Sequence, residues 1–99
     1  MIRGTTPLHI FRLPFSTENI EKLRVIYSQN NKPVVKKELR DCTLEGNTIK
    51  LKLTQEDTLE LDSKFPVEIQ VRVLMTGGDV LASFPLETSL YRCLEDEVL

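Results

Sequence analysis

The side chains that could carry chemistry in this chain are few and scattered. His9 is the single histidine, and its neighbours Leu8 and Ile10 offer neither a carboxylate nor a nucleophile. An imidazole needs such a partner to work as a general base or to activate a hydroxyl or thiol, so His9 reads as a structural or surface residue. Cys42 and Cys93 lie far apart and form no CxxC pair, which argues against a zinc or redox motif and for two small buried hydrophobes. A bridge between them stays open, although a cytoplasmic chain keeps its thiols reduced. The acidic residues Glu56, Asp57 and Asp62, together with the acids of the tail, lack the DxDxDG spacing of a calcium loop. They read as solvated or helix-capping carboxylates. Gly77-Gly78 stands alone, without the glycine pattern that cradles a phosphate, and fits a hairpin turn. No catalytic residue, metal ligand or cofactor site emerges, and a non-enzymatic protein is expected.

Composition narrows the classes further. Thirteen basic and fifteen acidic residues leave a formal charge of −2 over 99 residues, with 40% apolar and 28% charged residues. That balance is ordinary for one globular domain and gives no general attraction to nucleic acid or anionic lipid. Lys36, Lys37 and Arg40 are offset by Glu38 and Asp41, so that stretch reads as a solvated edge, not an RNA-binding face. Tryptophan is absent, and most of the aromatic residues fall at expected core positions, which speaks against the flat platforms of a sugar-binding sandwich. No apolar run approaches the length needed to span a bilayer, and the N-terminus lacks a signal-peptide core. Synthesis in a cytoplasm is expected, with no membrane and no nucleic-acid partner.

The elements that must position these residues are strands. From Val67 to Met75 apolar side chains recur at every second position, with Val67, Ile69, Val71, Val73 and Met75 on one face and Glu68, Gln70 and Arg72 on the other. This period belongs to a half-buried strand and not to a helix. Thr76-Gly77-Gly78-Asp79 then supplies a hairpin return into a partner strand from Val80 to Phe84, interrupted at Pro85. Earlier strands are expected at Leu8–Leu13, Glu21–Gln29, Val34–Cys42 and Thr48–Thr54. Asn30-Asn31-Lys32-Pro33 and Glu45-Gly46-Asn47 are the turns between them. The charged Val34–Cys42 strand suits a protected sheet edge. Thr54-Gln55-Glu56-Asp57 has the spacing of a capping box and predicts about one helical turn. The spacing of strands and turns predicts a single domain over residues 1–99, an immunoglobulin-like antiparallel β-sandwich of about seven short strands with one short helical turn near Thr54–Thr58. Residues 1–6 are expected to form a flexible arm and residues 94–99 an acidic, fraying tail.

Four stretches carry a resemblance: Arg3-Gly4-Thr5-Thr6-Pro7, Ile26 to Gln29, Leu53 to Leu59, and Val67 to Val73. In these the chain resembles small prophage-encoded proteins of gut Clostridia and related bacteria. In strand order and turn placement it is also similar to β-sandwich domains at the N-terminus of some phage baseplate proteins. The resemblance implies a phage structural or accessory protein of the tail or baseplate, with itself or other virion proteins as partners; it brings no catalytic residue with it. A small host-interacting or inhibitory binding protein and a carbohydrate-binding accessory domain are the alternatives. The candidate interface is Leu8, His9, Ile10 and Phe11, because this strand has apolar groups on both faces while a sandwich covers one.

Overall fold

Alternating burial builds the molecule around its longest inward face. The computed structural model describes residues 1–83, 86–93 and 98. Its elements, in chain order, are β1 (Leu8–Arg12), β2 (Ile20–Gln29), β3 (Lys32–Glu38), β4 (Cys42–Glu45), β5 (Thr48–Lys52), the short helix α1 (Gln55–Leu59), β6 (Val67–Met75), β7 (Val80–Ala82) and β8 (Leu86–Thr88). Two antiparallel sheets result, one in the order β1-β5-β4 and one in the order β3-β2-β6-β7, with β8 also paired to β6. The all-β sandwich expected from the sequence is the observed architecture.

Val67, Ile69, Val71 and Val73 of β6 face inward beside Leu23, Val25 and Tyr27 of β2. Ile49 and Leu51 of β5 meet them from the opposite sheet, and all are buried. Leu53 and Leu61 close the core beyond β5. Burial of so many branched side chains drives the two sheets together. The strands owe their register to their turns. Asn30 and Asn31 both adopt positive φ (51° and 62°), the pair of left-handed residues that a two-residue hairpin between β2 and β3 requires. Gly78, at φ 94°, does the same for the β6–β7 return.

Thr54 caps α1 as its spacing predicts. Its hydroxyl accepts from the Asp57 N–H at 3.1 Å, and the Asp57 carboxylate accepts from the Thr54 N–H at 3.0 Å. Lys37 of β3 also reaches Asp57, at 2.9 Å, and so ties the helix to the edge of the large sheet.

Three expectations need correction. The single strand expected from Val34 to Cys42 is two strands, β3 and β4, separated by a 3₁₀ turn at Leu39–Asp41 where the chain leaves one sheet for the other. The partner strand expected from Val80 to Phe84 is shorter, and Val80, Leu81 and Ala82 are all exposed: Val80 and Ala82 pair with Leu74 and Arg72 on the outward face, while Leu81 pairs with Val73 on the inner face at the edge of the large sheet. Residues 1–6 are held and do not hang as an arm. Ile2 bridges Tyr91, Arg3 N–H donates to the Tyr91 carbonyl at 2.9 Å, and the Arg3 guanidinium donates to the carbonyls of Leu59 and Leu61, each at 2.7 Å. The interruption expected at Pro85 lies outside the described residues, as does the tail over 94–99 apart from Val98. Cys42 and Cys93 are both free thiols.

Candidate protein-contact site

The structure divides the four candidate residues between the two faces of β1. His9 and Phe11 turn inward. His9 Nδ1 lies 2.7 Å from the Tyr27 hydroxyl, with the two rings 5.6 Å apart, and Phe11 meets the imidazole edge to face at 6.4 Å. Burial raises the Tyr27 pKa, helped by the nearby Cys42 and Asp57, and burial together with the positive N-terminus lowers that of His9. The phenol therefore stays protonated and the imidazole neutral, so one hydrogen bond joins two uncharged groups. A hydroxyl and an imidazole held in these states lock β1 to β2.

Leu8 and Ile10 turn outward and are 55% and 50% exposed. Lys52 stands opposite Leu8 across the sheet, and Lys50 stands opposite Ile10. Lys50 is drawn toward Glu45, at 3.3 Å, so it shields the apolar pair on one side only.

The backbone of β1 adds a second feature. Hydrogen bonds at its two ends, from Leu53 N–H to the Pro7 carbonyl at 3.0 Å and from Leu13 N–H to the Asn47 carbonyl at 2.8 Å, fix which residues face β5. In an antiparallel pair that direction alternates, so His9 and Phe11 bond toward β5 while the N–H and C=O groups of Leu8, Ile10 and Arg12 point to the open edge. Among the described residues β5 is the only strand paired with β1. Apolar side chains and unpaired backbone groups thus occur on the same residues.

The other sheet edges are better guarded. β3 carries Pro33 and three lysines, Lys32, Lys36 and Lys37, and ends at Glu38. β7 and β8 are three residues each and differ by one residue in their register against β6. β4 has four residues and runs into the Gly46 turn. Charge, proline, shortness and irregularity are the ordinary means of blunting an edge, and β1 shows none of them before Arg12.

Sequence reasoning missed the buried polar groups that tie down the N-terminal segment and the loop before β6. Thr58 is fully buried; its hydroxyl donates to the Thr5 carbonyl at 2.8 Å and accepts from Gly4 N–H at 2.9 Å. Gln29 spans from β2 to the loop before β6, donating to the carbonyls of Asp62 and Phe65 and accepting from Asp62 N–H at 2.8 Å. Both act across more than thirty positions of sequence, where no local pattern announces them.

Among the described residues no group of three or more His, Cys, Asp or Glu side chains is placed to hold a metal ion, and no helix is long and apolar enough to cross a membrane. No protein-family model, no curated protein and no solved structure matches this chain.

Proposed function

We propose that this protein is a non-enzymatic assembly module that adds the edge of β1 to the same edge of a second copy. The observation that carries the reading is the coincidence on Leu8 and Ile10 of exposed apolar side chains and outward-pointing backbone groups. Strand addition uses those two elements together, main-chain bonds for affinity and alternate side chains for selectivity. An antiparallel pair centred on Ile10 sets Ile10 against its counterpart and Leu8 against Arg12 of the other copy, so each apolar side chain gains a cross-strand neighbour and the contact closes on itself. The resemblance to prophage-encoded proteins supplies the setting we propose, tail or baseplate assembly of a phage, with synthesis in the bacterial cytoplasm and final residence in the virion.

The test is the mass in solution as a function of concentration, measured by light scattering on the wild type and on Leu8→Lys and Ile10→Lys. Because both side chains point away from the core, each variant should keep the wild-type melting temperature while losing the concentration-dependent rise in mass. A wild type that stays monomeric across the range, or variants that associate as the wild type does, would overturn the proposal.

A further inference from the structure

The outward face of the large sheet presents a second surface, on the far side of the molecule's core from β1. Arg24 of β2 stands directly opposite Arg72 of β6. Like charges placed opposite each other across two strands repel, and neither guanidinium makes an ion pair among the described residues, where Lys37–Asp57, Arg40–Glu38 and Lys50–Glu45 are the pairs formed. The two arginines line an open groove of about 710 Å³, together with Lys22 and Arg40 and the carboxylates of Glu21 and Glu38. Four cations against two carboxylates leave the groove at +2 in a chain whose overall charge is −2. Glu38 quenches little of this charge, since its carboxylate reaches Arg40 only at 4.0 Å with both side chains largely in solvent. Leu74 and Val80 supply an apolar wall, and Val80 is 60% exposed.

We infer that this groove binds an acidic peptide segment of a partner protein, a carboxylate seated between Arg24 and Arg72 and an adjacent apolar side chain against Leu74 and Val80. The guanidinium fork matches a carboxylate through paired N–H donors, and two forks on neighbouring strands converge on one anion and relieve their mutual repulsion. The size of the groove and its apolar wall exceed what a free inorganic anion uses. Glu21 and Glu38, in the same lining, oppose the closely spaced phosphates of a nucleic acid. Separated carboxylates interleaved with apolar residues are what the charge pattern complements. The site stands apart from β1 and does not depend on the assembly proposal.

A blocked hexapeptide of alternating glutamate and leucine is the probe, titrated into the full-length protein and followed by NMR at the arginine Nε–H groups. Saturable binding that shifts the Arg24 and Arg72 signals is expected, with affinity lowered at least about tenfold in the Arg24→Gln/Arg72→Gln double variant. The melting temperature of that variant should equal or exceed the wild-type value, since a repulsion is removed, which separates lost binding from lost folding. The inference is overturned if the glutamine–leucine peptide binds as tightly, if the double variant keeps full affinity, or if inorganic phosphate or a single-stranded oligonucleotide shifts the same signals at lower concentration than the peptide.

Discussion

Replacing Thr58 with valine isolates the anchor that seats the N-terminal segment and, through it, the start of β1. The substitution keeps the buried volume and removes only the hydroxyl, which accepts from Gly4 N–H at 2.9 Å and donates to the Thr5 carbonyl at 2.8 Å. The Thr5 carbonyl lies in an exposed stretch and can turn to water. Gly4 N–H is half-buried, and Gly4 itself sits at φ +80° with its α-carbon close to Leu59, where a β-carbon would lie 3.4 Å from a Leu59 methyl. A donor stranded there costs about 1–3 kcal/mol, which for a domain of this size lowers the melting temperature by roughly 4–8 °C per kcal/mol. Thr58→Ser keeps every hydrogen bond and loses one buried methyl, worth about 1 kcal/mol, so temperature alone does not separate the two variants. Hydrogen exchange at the Gly4 amide does. The amide should be protected in the wild type and in the serine variant, and should exchange freely in the valine variant while the amides of β6 remain protected. A valine variant with a protected Gly4 amide and an unchanged melting temperature would refute the idea that this hydroxyl holds the segment.

Acidification should weaken the fold in two stages, read by chemical denaturation at a series of pH values. The folded protein lowers the His9 pKa, so the unfolded chain takes up that proton first; this contribution is complete above about pH 6.5 and is lost as the pH falls through the lower folded value. Asp57 follows at lower pH: burial alone pushes its carboxyl up, but the bonds from Thr54 and Lys37 outweigh burial and hold it below the usual value. Its contribution is present above about pH 3.9 and disappears as the pH falls through the folded value. His9→Gln should abolish the upper stage alone. Val71→Asp buries an unpaired carboxylate at a position 5% exposed and should cost several kcal/mol, about the whole stability of a small domain; a melting temperature equal to the wild type's would contradict its place in the core. Burial and the neighbouring Asp41 carboxylate push the Cys42 thiol up to about 11, partly offset by Lys37. Native Cys42 should therefore react with a thiol-specific reagent at neutral pH far more slowly than it does in denaturant, and equal rates would count against that environment.

The parts of the fold written in local patterns were readable before the structure. The alternation from Val67 to Met75 names the buried face of β6, Asn30-Asn31 names the β2–β3 turn, and Thr54 with Asp57 names the cap of α1. The break at Leu39–Asp41 was not readable, because the charged residues around it carry no apolar period whose interruption would reveal a change of sheet. The exposure of β7 was hidden for a different reason: Val80 and Leu81 are apolar in sequence, and only the pairing of β7 with β6 puts Val80 on the outward face and Leu81 at the edge of the large sheet. At the candidate site, alternation separated Leu8 and Ile10 from His9 and Phe11. Which pair meets the core, and which backbone groups face the edge, follow from the pairing of β1 with β5. Arg24 and Arg72 lie 48 positions apart, and only the β2–β6 register brings them face to face.

Hydrogen exchange at the backbone amides of Leu8, Ile10 and Arg12, compared in dilute and concentrated protein, reads the open edge itself. These three amides should exchange rapidly in dilute solution and become protected as concentration rises, while those of His9 and Phe11, already bonded within the sheet, stay protected throughout. Protection of Leu8, Ile10 and Arg12 that is absent at every concentration, or already complete in the dilute monomer, would contradict assembly through β1.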